Sequence, residues 1–391
     1  MNINKFRENT PGTKNVIHFN NAGDSLMPKV VSESVITYLR EESLYGGYET
    51  ADKNRESIEQ TYSVIGKFIN AQPDEIALLE NATDAWNMAL FSIDFKDGDR
   101  ILTSKSEYAS NYLSYLRLQE KVDIQIEVVP NDEHGQTSVT SLEKMMDRNV
   151  KLISITHIPT NSGLVNPIEK IGDVAQKYDC FYLVDACQSV GQYPVDVQKV
   201  GCDMLSATGR KYLRGPRGTG FLYIKRDQIE NLLPPFIDLH AAEWTSEKEY
   251  EIRNDARRFE NWEMNYAGII GLKKAVQYAS DIGINRIWKR VTKLAEKLRW
   301  ELAKLSAITV HDIGEIKGGI VTFTVDSVSA QEVKNYLSKN RINVSTSSKS
   351  STLLDMKDRN LSELVRASAH YYNTENEIDQ FIDALKNMAN Q

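Results

Sequence analysis

The chain has 391 residues, with 47 Lys+Arg against 54 Asp+Glu and a formal net charge of −7. That length predicts about two or three domains with a sizeable core. The acidic surplus argues against a nucleic-acid or membrane-surface partner, since both select a basic face. Three cysteines, Cys180, Cys187 and Cys202, lack CxxC spacing and a neighbouring histidine, which excludes a disulfide framework and predicts no zinc or other metal site. The first fifteen residues are polar, and no run of 18 apolar residues occurs. The expectation is a cytoplasmic protein with no secretory signal and no membrane span.

In chain order, Ile76-Ala77-Leu78-Leu79 reads as a buried strand, followed by the turn Asn81-Ala82-Thr83-Asp84 and a helix over 85–92. Strands are predicted at 100–103, 124–129, 151–156 and 181–184, with helices over 107–119 and 167–178. This alternation predicts an α/β fold with a mostly parallel sheet. Such sheets place ligands beyond the carboxyl ends of their strands. After about residue 267 the pattern changes. A charge-rich helix spans 284–305, strands fall near 308–310 and 319–325, and helices over 330–339 and 375–388 frame a Ser-rich stretch, 345–352, read as a loop. The basic positions of the long helix alternate with Glu296 and Glu301, the mark of a solvated face. This second unit reads as a smaller α+β domain.

Two segments carry candidate chemistry. In the first, Cys180-Phe181-Tyr182-Leu183-Val184-Asp185-Ala186-Cys187-Gln188, an apolar strand ends in an acid. In the second, Ser206-Ala207-Thr208-Gly209-Arg210-Lys211 leads into Gly215-Pro216-Arg217-Gly218-Thr219-Gly220 and a strand over 221–224. Lysine amines condense with carbonyls when burial or a neighbouring cation lowers their pKa, and Arg210 is such a cation. An Asp at a strand end suits a protonated pyridine nitrogen. Thr83, Thr208 and nearby amides suit a phosphate at a helix N-terminus. Taken singly, each signal has an ordinary reading: the Asp as a turn cap, the Lys as a solvated charge, the glycines as turn markers. The Gly-rich segment matches neither GxxxxGK[ST] nor GxGxxG.

Their order is more informative. The stretch from Val184 through Ile224 resembles the class V aminotransferase family of pyridoxal-phosphate enzymes, in its cysteine desulfurase and selenocysteine lyase-like branch. The likeness extends to His18-Phe19-Asn20-Asn21-Ala22-Gly23, to His157-Ile158-Pro159-Thr160-Asn161-Ser162-Gly163, to Arg258-Phe259-Glu260 with Gly268-Ile269-Ile270-Gly271-Leu272, and to Val365-Arg366-Ala367-Ser368 with Tyr372-Asn373-Thr374-Glu375. It implies fold type I: an N-terminal arm over 1–17, a large cofactor domain over 18–267 and a small C-terminal domain over 268–391. It implies pyridoxal 5'-phosphate as cofactor, with Lys211 forming the Schiff base and Asp185 holding the pyridinium. Gln188 would bond the ring hydroxyl. Ala82, Thr83, Thr208 and Arg210 would hold the phosphate. Arg366 would clamp the substrate carboxylate, a task suited to a bidentate guanidinium, with Asn161 or Thr160 beside the substrate. It also implies a homodimer, with 258–264 as the cross-subunit segment.

The chain departs from that branch in three places. Its stretch 343–349 has no cysteine where desulfurases carry a nucleophilic thiol. Ala109 stands where relatives place a His over the ring, leaving Tyr108 or Trp86 as covers, or the face open for a bulky substrate. Glu263 stands where relatives carry a phosphate-binding Thr, and Asn261 is one substitute. A serine cannot replace the missing thiolate as nucleophile. The expected function is therefore a C–S lyase-like β-elimination on an amino acid, with transamination or epimerisation as enzymatic alternatives and a catalytically silent binding protein as the non-enzyme alternative.

Overall fold

The computed structural model describes residues 1–389. After a short strand β1 (Ile17–His18), the apolar runs become β2 (Ile76–Leu79), β3 (Arg100–Ser104), β4 (Gln125–Val129), β5 (Val150–Thr156), β6 (Phe181–Asp185), β7 (Met204–Thr208) and β8 (Gly220–Ile224). They form one seven-stranded sheet in the order β2-β8-β7-β6-β5-β3-β4. From β4 to β7 all neighbours are parallel, whereas β8 runs antiparallel to both β7 and β2. A parallel return needs a crossover of a dozen or more residues, usually a helix. The β7–β8 connection is short, rich in Gly and Pro, and non-helical, so it can only return antiparallel. That connection carries Lys211.

Helices α1 (Lys29–Tyr45), α2 (Arg55–Ile69), α3 (Ala82–Phe91), α4 (Ala109–Gln119), α5 (Ile168–Ala175) and α6 (Tyr266–Ile282) belong to this layer. Two apolar cores are built on the sheet: Ile153, Ile155, Tyr182 and Val184 contribute to one, Leu152, Leu183 and Trp86 to the other. Each such aliphatic side chain gains about 1.5–3 kcal/mol on burial. Helix α6 packs on α1 and α2 and buries Ile269, Ile270, Leu272 and Val276 in the first core, although a boundary at 267/268 would assign it to the second unit.

A hairpin, β9 (Ala242–Ser246) and β10 (Glu249–Ile252), precedes α6. After α6 come α7 (Ile284–Ala303), β11 (Ile308–Val310), β12 (Ile320–Val325), α8 (Ala330–Lys339), β13 (Ile342–Asn343), β14 (Ser345–Ser348), α9 (Leu353–Asp358), β15 (Glu363–Ser368) and α10 (Glu375–Ala389). Strands β11-β12-β15-β14 make an antiparallel sheet whose core includes Phe19, Leu298, Phe323, Val333 and Phe381. The N-terminal arm is fastened to this unit: β1 pairs in parallel with β13, and Arg7 meets Glu377 at 2.7 Å.

Three local expectations are corrected. The helix read over 85–92 starts at Ala82, because the Asn81 side chain caps it by accepting from the Asp84 amide at 3.0 Å. The helix read from 107 starts at Ala109, because Tyr108 is extended and the Glu107 side chain turns inward to accept its amide. The Ser-rich loop is in part strand β14, paired with β15 in the register Ser345↔Arg366 to Ser348↔Glu363. Short hydroxyl side chains carry no apolar alternation, so composition concealed an edge strand.

Candidate active site

The parallel strands β3, β5, β6 and β7 end on Ser104, Thr156, Asp185 and Thr208, all buried polar residues. Asp185 Oδ1 accepts from the Cys187 amide at 2.9 Å, and Oδ2 accepts from Asn111 Nδ2 at 3.0 Å. Gln188 follows on the same turn. Its Nε2 donates to the Ala22 carbonyl at 3.0 Å, while its buried Oε1 has no partner among the described residues.

Lys211 sits in the β7–β8 connection, in a closed turn. The Arg214 amide bonds the Lys211 carbonyl at 2.9 Å, and the Gly215 amide bonds Gly209 at 2.8 Å. Arg214 takes a left-handed φ of 63°. Its buried guanidinium locks the turn to both ends of the chain, donating to Leu26 O at 2.8 Å, to Thr10 Oγ1 at 2.6 Å and to the Tyr371 hydroxyl. Gly191, at φ 96°, approaches the same turn so closely that a Cβ would lie 2.4 Å from the Leu213 amide. Burial lowers the pKa of the Lys211 amine, and Arg210 and Arg366 lower it further against the opposing charge of Asp185.

Two of the phosphate-binding candidates, Ala82 and Thr208, come together. Thr208 pairs with Gly220 across the β7–β8 ladder, and a Cβ on Gly220 would lie 3.1 Å from the Ala82 amide. The first amides of α3 therefore sit beside the end of β7, with Asn81 capping only Asp84. Arg210 is partly buried and its Nη1 donates to the Gly23 carbonyl.

Arg366, on β15, reaches from the small sheet toward Lys211. Its Nη1 donates to the Thr160 carbonyl at 3.1 Å and to the Thr160 hydroxyl, and its buried Nε is unpartnered among the described residues. Burial brings its pKa down to about 10, which leaves it cationic at neutral pH. Asn161 is fully buried. Its Nδ2 donates to Asp355 Oδ2 on α9 at 3.2 Å, and its Oδ1 lacks a partner among the described residues.

The family model for Aminotransferase class-V matches residues 17–381. The chain belongs to the class V aminotransferase family. It is 31% identical over 388 residues to a probable cysteine desulfurase of Pyrococcus abyssi, covering 98% of this chain and 96% of that one. A probable cysteine desulfurase of Methanothermobacter thermautotrophicus is 30% identical, with 100% and 98% covered. The apo structure of a cysteine desulfurase from Thermococcus onnurineus NA1 superposes with a TM-score of 0.92 at 28% identity, covering 98% and 97%. The cystine C–S lyase C-DES, in complex with its product cysteine persulfide, shares the fold at a TM-score of 0.87 and 23% identity, covering 96% and 98%. This class V protein is thus a pyridoxal-phosphate-dependent enzyme of fold type I that acts on amino acids. Its residues fit that cofactor. The group brings a cationic ring nitrogen, a ring hydroxyl, an aldehyde and a phosphate. The chain offers a buried carboxylate, an unpartnered amide oxygen, a buried amine with lowered pKa, and the start of a helix.

Trp86 is 1% exposed in the second core, 6.4 Å from Tyr115, so it packs inside the protein and does not cover the cofactor ring. Tyr108, 36% exposed and within electrostatic reach of Arg366, is the remaining aromatic of the two. The segment 258–264 divides. Arg258, Phe259 and Glu260 are buried within the chain, with Glu260 accepting from the Leu78 amide at 2.6 Å, and only Asn261, Trp262 and Glu263 are exposed. Asn261 and Glu263 line a cavity of about 980 Å³ with Asp84, Phe236 and Gly218. Burial pushes all three thiols up, Cys180 to about 12, so none has thiolate character. Among the described residues no helix is long and apolar enough to cross a membrane.

Two residues against Asp185 escaped the sequence reading of the site: Asn111 and, behind it, Glu107. Glu107 precedes α4 and Asn111 lies in its first turn, where an acid and an amide read as ordinary capping residues.

Proposed function

We propose that this enzyme catalyses a C–S lyase-like β-elimination on an amino acid bearing a sulfur leaving group, and not persulfide transfer to a protein thiol. The observation that carries the reading is β14: the segment laddered beside Arg366, with Ser345 opposite it, is built of serine and threonine with no cysteine. Pyridoxal phosphate, when bound, supplies the sink for the electron pair left at the substrate Cα. Lys211, its amine biased toward the neutral form by burial, takes the Cα proton. Asp185 holds the proton on the ring nitrogen, and Gln188 Oε1 serves the ring hydroxyl. The amides of Ala82 and Thr83, the hydroxyls of Thr83 and Thr208, and the charge of Arg210 receive the phosphate. Arg366 grips the substrate carboxylate, and Asn161 lies beside it.

The Cα proton and the Cβ–S bond are lost together with the sulfur leaving group. Water then releases pyruvate and ammonia, so one amino acid and one water give pyruvate, ammonia and the sulfur leaving group, which is sulfide from cysteine and cysteine persulfide from cystine. In this reading the enzyme is a cytoplasmic homodimer. The exposed Asn261–Glu263 edge and the cavity beside it offer the surface for a second copy, and the net charge of −7 speaks against a nucleic acid or a membrane.

The test is an amino-acid panel of cysteine, cystine, cysteine sulfinate and alanine, followed for pyruvate, ammonia and released sulfur. Stoichiometric pyruvate and ammonia are expected. Alanine accumulating with a persulfide on Cys180, Cys187 or Cys202 would overturn the reading, as would amino-group transfer to a keto acid without sulfur release.

A further inference from the structure

One polar cluster behind the site has no part in the roles above. Glu107, 3% exposed, accepts at Oε1 from Thr156 Oγ1 at 2.5 Å, Asn111 Nδ2 at 2.8 Å and the Tyr108 amide at 3.0 Å, and at Oε2 from Thr103 Oγ1 at 3.0 Å. The same Asn111 nitrogen donates to Asp185 Oδ2 at 3.0 Å. A primary amide has two N–H donors, so one nitrogen links two buried carboxylates. The titratable groups facing Glu107 are Asp185 from β6 and Tyr115 from α4, whose hydroxyl is bonded to Ser154. No lysine, arginine or histidine pairs with Glu107 among the described residues.

Two like charges in a buried site oppose each other unless a cation joins them. A protonated cofactor ring held by Asp185 would be that cation. We propose that Glu107 and Asn111 are positioning residues for the cofactor: Asn111 orients the Asp185 carboxylate, and the Glu107 charge behind it strengthens the hold of Asp185 on the ring nitrogen. This rests on the role of Asp185 proposed above. The coupling is reciprocal, since ionised Glu107 favours the cationic ring and the cationic ring favours ionised Glu107.

Burial lifts the Glu107 carboxyl from 4.5 to about 7 in the ligand-free chain. A carboxyl raised in the folded state lends its full stability only below its unfolded pKa, and that stability is lost as pH climbs through about 7. The apoprotein should therefore lose stability across this window, and Glu107→Gln should abolish that slope. The variant is close to isosteric in its bonds. An amide oxygen at Oε1 keeps three donors, and the Thr103 hydroxyl can turn to accept from the new Nε2.

The decisive experiment measures cofactor affinity of the apoprotein at about pH 6 and about pH 8.5, either side of the Glu107 titration. Comparing variant with wild type at each pH cancels the titration of Lys211. Glu107→Gln should bind pyridoxal phosphate about tenfold more weakly at the higher pH and within about twofold of wild type at the lower, where Glu107 of the apoprotein is largely neutral. The carba analogue with C–H in place of the ring nitrogen should bind both proteins equally at both pH values. Equal affinity for pyridoxal phosphate at the higher pH, or the same loss with the carba analogue, overturns the proposal in favour of plain packing. Thr103→Val is the second variant, should Glu107→Gln fold poorly. It removes one donor to the carboxylate, so the break in affinity should move to higher pH, and an unmoved break counts against the proposal. Asp185→Asn separates the two readings. If it binds cofactor as wild type does, the assignment of Asp185 fails; if it weakens binding while Glu107→Gln does not, only the present inference fails.

Discussion

The two sides of the site are built on opposite principles. On the ring-nitrogen side, Asp185, Asn111, Glu107, Thr103 and Thr156 bond one another, and both Asp185 oxygens are occupied. On the side assigned to the ring hydroxyl and the substrate, Gln188 Oε1, Asn161 Oδ1, Asp355 Oδ1 and Arg366 Nε are buried without partners among the described residues. A buried polar atom left unpaired costs about 1–3 kcal/mol. The first side is thus fixed before any ligand arrives, and the second tolerates a cost that a ligand can relieve. Removing groups from the first side should weaken the fold and function together. Removing groups from the second should harm function while leaving the fold as stable, or more so.

Lys211 gives the largest separation. Lys211→Met should lower turnover by at least about 10²–10⁴-fold, the span of a lost proton-transfer group, and leave no cofactor covalently attached to the protein after borohydride reduction. Its apoprotein should melt no lower than wild type, because an amine whose pKa burial depresses is costly in the interior. The sign follows: its folded pKa lies below its unfolded value, so wild type gains stability as pH rises toward the ordinary lysine range, and the variant loses that gain. Thermal melts across alkaline pH read this out. Asp185→Ala is the contrasting arm. It leaves one Asn111 N–H and the Cys187 amide without their acceptor, while Glu107 keeps the other Asn111 N–H, so the apoprotein should lose about 1–3 kcal/mol in denaturant titrations.

Arg366→Met comes next. Loss of a charge-assisted grip on a carboxylate should reduce kcat/KM by roughly 10²-fold, most of it in KM. The Thr160 contacts are the only protein hydrogen bonds found for this guanidinium among the described residues, so melting should change little. A large stability loss would show Arg366 to be a strut between the sheets, and the contrast drawn above would fail there.

The two sides also differ in how far the sequence disclosed them. Apolar runs ending in polar residues made β5 and β6 readable, whereas β7 was not read as a strand; Asp185 stood out as the acid ending an apolar run, and Lys211 as the lysine of a polar turn ahead of a Gly-rich segment. Strand β8 was read as a strand, but its reversed direction follows from the absence of a helix between 209 and 219, which only topology rules convert into geometry. Glu107 and Asn111 had no such signal. An acid and an amide at a helix start look like ordinary capping and surface residues until tertiary packing turns them against β6. Strand β14 was hidden for a different reason: its pairing with β15 is a backbone property that hydroxyl side chains do not advertise.

Asn161 offers the smallest and most discriminating effect. Its one side-chain hydrogen bond among the described residues, to Asp355 at 3.2 Å, joins the loop after β5 to α9, while Arg359 holds the same Asp355 oxygen at 3.2 Å. In Asn161→Ala the carboxylate keeps its arginine, so the apoprotein should lose no more than about 1 kcal/mol. The unpaired Oδ1 disappears with the side chain, which offsets part of that loss. If Oδ1 is reserved for substrate, KM should rise by roughly tenfold, the equivalent of one hydrogen bond of about 1.4 kcal/mol, with kcat nearly unchanged. Steady-state kinetics beside a melt distinguish the cases. A raised KM on an undisturbed fold places Asn161 with the ligand-completed side, whereas an undisturbed KM on a weakened fold makes it a clasp between the loop and α9.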